Sequence, residues 1–190
     1  MFWKKTVMNL GYGAAFNGTR TIRENREKYK CNIPWLILFD PTSDCNMHCI
    51  GCWAGTYGHK YSLSYDDMDK IVREGKELGV YIYILTGGEP LVKKKDILKL
   101  AKEHNDVEFS IYTNSSLIDE DFCKEVQKLG NIVFQLSIEG FEETNEEEEE
   151  MVIIKMLWKQ WSCLKNMVSC LEHLYVIQEI MLKQLLQMNS

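Results

Sequence analysis

Three cysteines stand close together in the stretch CNMHCIGC, residues 45–52, spaced C-x-x-x-C-x-x-C. A structural zinc site takes four ligands, usually as two separated pairs. Cys45, Cys49 and Cys52 have no second C-x-x-C pair to complete such a set. Cys31 precedes the first strand, and a fourth ligand at His48 would strain the geometry beside Cys49. A four-iron cluster takes one thiolate per iron. Three thiolates leave one iron open to the N and O atoms of a substrate or cofactor. The triplet therefore points to a cubane with a vacant corner. Two alternatives stand beside it: a zinc-binding structural or interaction protein using Cys45, Cys49, Cys52 and His48, and an iron–sulfur electron carrier.

The elements that must position this loop are legible in the flanking pattern. PWLILFDPT, residues 34–42, is a short apolar run closed by Asp-Pro, the signature of a buried strand. SYDDMDKIVREGKELG opens with Ser64 as N-cap and Asp67 three residues on. It carries Met68, Ile71, Val72 and Leu78 on one face and closes at Gly79, so it reads as a helix. VYIYILTGGEP is a second strand running into a glycine turn. KKKDILKLAKEHN is a helix with Ile97, Leu98 and Ala101 inward. VEFSIYTN, DEDFCKEVQKLG and NIVFQLSIEG continue as strand, helix, strand. Short returns between helix and strand call for parallel strands with right-handed crossovers. The α/β class follows, with a (β/α) barrel arc preferred to a doubly wound sheet, and with its chemistry at the C-terminal strand ends. Residues 14–30 read as a polar helical extension.

Composition narrows the function. The chain has 190 residues, 45% hydrophobic, with seven cysteines and a net charge of −6, which suits one domain with a real core. No basic stripe tracks a phosphate backbone, so nucleic acid is not an expected partner. No stretch has the apolar length of a membrane span, and Lys4-Lys5 lacks the apolar run of a signal peptide. The expectation is a cytoplasmic, reduced protein with no membrane partner, in which clustered thiols bind metal.

Residues 35–143 resemble the radical S-adenosylmethionine (SAM) superfamily, on more than the cysteine triplet. TGGEP, residues 86–90, is similar to the family's glycine-glycine-glutamate turn after the second strand, and Asn114 and SIEG, residues 137–140, end the third and fourth strands where the family contacts its cofactor. The resemblance implies a [4Fe-4S] cluster on Cys45, Cys49 and Cys52, with SAM chelated at the open iron. It implies Gly87, Gly88 and Glu89 at the methionine amino group, and Asn114, Ser137 and Glu139 along the carboxylate and ribose. Reductive cleavage would then give methionine and a deoxyadenosyl radical that abstracts hydrogen from a substrate. The implied partners are an electron donor such as a ferredoxin or flavodoxin and an unknown small-molecule or peptide substrate. One departure stands out. The family commonly carries an aromatic residue before the third cysteine, where this chain has Gly51; Trp53 either replaces it as a stacking surface or packs the loop.

The family core has more strands than the four legible here. After Glu146 glycine and proline vanish and the β/α rhythm stops. Residues 144–190 read either as amphipathic helices docking on the open arc or as a stretch translated out of frame. Back-translated from the third base of each codon, the tail permits Arg-Arg-Gly-Asp-Gly, then a helix ending in Gly and a fifth strand, which favours the second reading. The resulting division is a helical extension (1–34), a partial radical SAM core (35–143) and a helical tail (144–190). The expectation is a chain that carries the cluster loop yet is truncated, and unstable or inactive as an enzyme.

Overall fold

The computed structural model describes residues 2–49, 52, 54, 58 and 60–137, with side chains from residue 5 onward. Trp53, Gly51, Glu139 and the tail 144–190 lie outside the described residues. Helix α1 (Phe2–Val7), a π-helical stretch (Met8–Gly18) and α2 (Thr19–Tyr29) run on as one rod, because the junction residues Val7 and Gly18 keep helical dihedrals. The polar helix expected over 14–30 thus extends back to Phe2. Then follow β1 (Ile37–Thr42), α3 (Tyr65–Leu78), β2 (Ile82–Gly87), a 3-10 turn (Pro90–Lys93), α4 (Lys94–Glu103), β3 (Glu108–Thr113), α5 (Glu120–Leu129) and β4 (Ile132–Leu136).

Local chemistry sets these boundaries. The Ser64 hydroxyl accepts from the Asp67 amide, and the Asp67 carboxylate accepts from the Ser64 amide, each at 3.1 Å. This capping box starts α3, and Gly79 at φ +99° ends it. Asp119 starts α5 by accepting from the Phe122 amide at 2.8 Å, and Gly130 at φ +70° ends it.

The four strands are parallel, in the order β1-β2-β3-β4. Each pairs with its neighbour in the chain, so the order never reverses as it does in a doubly wound sheet. Met68 and Val72 from α3, Ile97 and Leu100 from α4, and Phe122 and Val126 from α5 form one core with Tyr83, Leu85, Phe109, Ile111 and Ile132. The opposite face carries the register row Leu38, Ile84, Ser110 and Val133. Helices on one face of a monotonically ordered parallel sheet make an arc of a β/α barrel.

The N-terminal rod crosses the N-terminal ends of the strands. Lys5 donates to the Leu129 carbonyl (2.7 Å), and Asn9 to the carbonyls of Asn105 (3.3 Å) and Val107 (3.0 Å). Thr6 Oγ1 lies 3.2 Å from both Glu108 Oε1 and the Gly130 carbonyl. A side chain at Gly18 would begin 2.6 Å from the Gly79 carbonyl, so only glycine allows this approach. Glu108 is 3% exposed, and its Oε2 has no hydrogen-bond partner. Burial pushes its carboxyl up to about 7, against the lowering effect of Thr6, Asn9 and Lys5.

This shift fixes a sign. A carboxyl harder to ionise when folded than at its ordinary 4.5 loses stability as pH rises from there to about 7, then levels off. Urea unfolding of Glu108→Gln beside the wild type is expected to show the gap between them changing by on the order of 2 kcal/mol between about pH 5 and 7.5, in favour of the variant at the higher pH.

Candidate cluster and cofactor site

β1 delivers its chain into a loop whose two ends are pinned side by side. The Ser43 amide donates to the Tyr61 carbonyl (2.8 Å) and the Leu63 amide to the Pro41 carbonyl (2.9 Å). The Ser43 hydroxyl donates to the Gly58 carbonyl (2.9 Å) and accepts from the amides of Lys60 (3.1 Å) and Tyr61 (3.0 Å). Thr42 Oγ1 accepts from the Asp44 amide at 3.0 Å, turning the chain as it leaves the strand. The cysteine triplet is carried between these pins. Cys45 is half-buried, and Cys49 and Cys52 are exposed. Burial raises the Cys45 thiol, helped by the charges of Glu89, Cys52 and Asp44 and opposed by the Met47 amide 3.4 Å from its sulfur.

The glycine turn after β2 lies directly against this loop. The Gly88 amide donates to the Thr42 carbonyl (3.0 Å) and the Glu89 amide to the Asp44 carbonyl (2.8 Å). A side chain at Gly88 would begin 2.2 Å from the Asp44 carbonyl oxygen. One at Gly87, which has φ +112°, would begin 2.7 Å from the Thr42 oxygen. The space that these glycines leave is filled by the chain's own backbone at the root of the cysteine loop.

Glu89 is 1% exposed. Its Oε1 accepts from the Leu91 amide (2.9 Å) and the Thr113 hydroxyl (2.7 Å), and its Oε2 from the Asn114 amide (2.8 Å). Burial raises this carboxyl above its ordinary range, and the three donors work against the rise. Ser115 takes the left-handed φ of +66°, and its amide reaches Thr113 Oγ1 at 3.0 Å. The Asn114 side chain donates to Asn46 Oδ1 (3.1 Å), beside Cys45, and its own Oδ1 accepts from the Ser116 amide (3.0 Å) and hydroxyl (2.6 Å). Ser137 is exposed at the end of β4, its amide on the Thr113 carbonyl (3.0 Å).

The structure thus brings the cysteine loop, Gly87, Gly88, Glu89 and Asn114 together at the C-terminal strand ends, with Ser137 on the neighbouring strand end. A cleft of about 490 Å³ opens beside them, lined by Asp40, Ser43, Tyr61, Leu63, Gly87 and Gly88 among others. His48 is exposed. Among the described residues no three His, Cys, Asp or Glu side chains converge as a ready cation cage. The donor set fits an iron–sulfur cluster: three thiols on one loop, pinned at both ends, beside a turn of closely approached backbone. Sequence reasoning overlooked Ser43, Asp44, Asn46 and Thr113. The clue was there, since Ser, Thr, Asn and Asp at a strand exit commonly fold the turn through their side chains.

A parallel β/α arc with a cysteine triplet and a Gly-Gly-Glu turn at the C-terminal strand ends defines a class, and comparison with known proteins identifies it. The chain belongs to the radical SAM superfamily, whose family model matches residues 39–174 and so extends beyond the last described residue. It is 27% identical over 113 residues to an AdoMet-dependent heme synthase of Methanosarcina barkeri, covering 57% of this chain and 32% of that protein. It is 26% identical over 152 residues to a GTP 3',8-cyclase of Clostridium perfringens, covering 76% of this chain and 47% of the cyclase. The chain therefore spans less than half the length of either relative. The fold matches the crystal structure of Streptococcus suis SuiB bound to S-adenosylmethionine, with a TM-score of 0.53 at 23% identity, over 67% of this chain and 30% of SuiB. Members of this superfamily bind a [4Fe-4S] cluster and SAM.

The contact at Gly88 generates a test. Gly88→Ala would drive a methyl into the Asp44 carbonyl, so it should destabilise the fold by at least about 2 kcal/mol in urea titrations. Iron incorporation after anaerobic reconstitution should fall with it.

Proposed function

We propose that residues 35–143 hold a [4Fe-4S] cluster on Cys45, Cys49 and Cys52, with SAM beside it at the open iron. When bound, this pair supplies one-electron cleavage of the sulfonium to methionine and a deoxyadenosyl radical, which takes a hydrogen atom from a substrate. The observation that carries the reading is the double backbone clamp of the glycine turn on the root of the cysteine loop, Gly88 to Thr42 and Glu89 to Asp44. It sets the thiols beside the turn that the family uses for the methionine amino group.

The chain's own residues then divide the work. Ser43 and Thr42 close the loop that presents the thiols. Gly87 and Gly88 offer backbone to the amino group. Glu89, with its carboxylate engaged by three internal donors, fixes the shape of that turn from beneath. Asn114, oriented by Asn46 and Ser116, would line the carboxylate and ribose with Ser137 and Glu139, and Trp53 would be the candidate for stacking on adenine. The substrate is a small molecule or a peptide; the fold neighbour SuiB has a structure bound to its precursor peptide SuiA. A ferredoxin or flavodoxin supplies the electron.

Anaerobic reconstitution of the full chain with iron and sulfide is expected to give about four iron and four sulfide per chain and a brown chromophore. Cys45→Ser, Cys49→Ser and Cys52→Ser should each lose most of that iron. SAM should shift the electron paramagnetic resonance spectrum of the reduced cluster. A colourless product holding one tetrahedral zinc, or a cluster indifferent to SAM, would refute the proposal.

A further inference from the structure

The N-terminal rod is amphipathic the wrong way round for its own domain. Over residues 6–18 the side it lays on the strand ends is small or polar, Thr6, Asn9, Gly13, Ala14 and Gly18, and only further on, at Ile22, does a large apolar side chain turn inward. Four large apolar side chains of this stretch point outward, with Val7, Met8, Tyr12 and Phe16 exposed at 60, 55, 56 and 63%. A surface helix ordinarily turns its apolar stripe to the core. Here the core is satisfied by close glycine packing and hydrogen bonds, so the outward stripe serves something else. Tyr12 and Phe16 stack with centroids 5.9 Å apart, which makes the stripe a convex ridge.

Charge narrows what covers it. Residues 1–30 carry seven Lys and Arg against two Glu, a net of +5 in a chain whose total is −6. No acid precedes Glu24, and Arg20 and Arg23 are exposed on the next turns of the same rod. A convex apolar ridge needs either a matching groove or a surface that yields to it. Among the described residues a second copy offers two cavities, and neither suits the ridge. The cavity between α4 and α5 is rimmed by the charges of Lys94, Lys95, Asp119, Glu120, Asp121 and Glu125, and the cleft beside the cysteine loop belongs to the candidate cofactor site. No described helix is long and apolar enough to cross a membrane; an exposed apolar stripe within a basic segment suits a helix lying in the lipid interface. Aromatic and aliphatic side chains on one stripe with bases beyond it are the pattern of such helices.

We propose that the outward face of the N-terminal rod docks on an anionic lipid bilayer, with Val7, Met8, Tyr12 and Phe16 in the acyl boundary and Arg20 and Arg23 at the headgroups. The placement leaves the cysteine loop free. The rod lies across the N-terminal strand ends, so the loop at the opposite ends faces away from the lipid.

The test is sedimentation of the full chain with vesicles at about 1 mM lipid, either phosphatidylcholine alone or with about 30% phosphatidylserine. Binding to the anionic vesicles should exceed that to the neutral ones by about tenfold or more at low salt. Tyr12→Glu with Phe16→Glu should lower it at least about tenfold, with an unchanged melting temperature, because both side chains lie outside the core. Arg20→Glu with Arg23→Glu should erase the preference for anionic lipid. The proposal is overturned if the wild type stays in the supernatant with anionic vesicles, or if the apolar pair of substitutions leaves sedimentation intact. It is equally overturned if light scattering shows a dimer that the same pair dissociates while no vesicle binding occurs, since the occupant is then a second copy. None of these readouts depends on cluster or SAM binding.

Discussion

The buried carboxylate of Glu89 joins the ends of two strands to the root of the cysteine loop, and the site exists because of it. Three donors converge on its oxygens, from the turn after β2 and the end of β3, while its own amide holds the Asp44 carbonyl. A carboxylate removed from water is unfavourable unless its lone pairs are used, and here three donors use them. The same residue therefore sets the glycine turn, the exit of β3 and the position of the loop. The left-handed Ser115 belongs to this arrangement: its turn lets successive amides reach Glu89 and Thr113.

The glycines beside Glu89 show how one residue type can be correctly located and differently used. A Gly-Gly pair after a strand suggests backbone drawn close to a ligand. In the folded chain the close approach is first to Thr42, Ser43 and Asp44. The glycines thereby weld two loops into one platform, and any ligand meets the outer surface of that platform. Positioning of this kind is what a protein contributes when a cofactor carries the difficult chemistry.

The two ends of the sheet are built on opposite terms. At the C-terminal ends, the cysteine loop and the glycine turn stand beside an open cleft. At the N-terminal ends, the helical rod seals the strands with few large side chains and leaves Glu108 buried with one oxygen unpaired. At the functional end the Glu89 carboxylate has three donors, although the Ser115 hydroxyl is buried without a partner; at the sealing end one oxygen of Glu108 lacks a donor. The rod's inverted stripe follows from the same geometry, since a helix laid on backbone and glycine has no room for Met8, Tyr12 or Phe16 on its inner side.

Periodicity and capping chemistry act within a few residues of chain, so the sequence alone determined the strands, the α3 capping box at Ser64 and Asp67, the stops at Gly79 and Gly130, and the cysteine triplet. The class of chemistry followed from thiol count and spacing. The uses of Glu89, Asn114 and Asn46 were decided only in the tertiary structure. Their partners beyond the local turns lie 24 to 70 residues away, and no local pattern encodes a hydrogen bond closed across three loops. The rod's outward face was likewise invisible in the chain, where residues 1–34 read only as a helical extension. Which side of a helix meets the core depends on the surface it lands on, and that surface forms only when the strand ends come together.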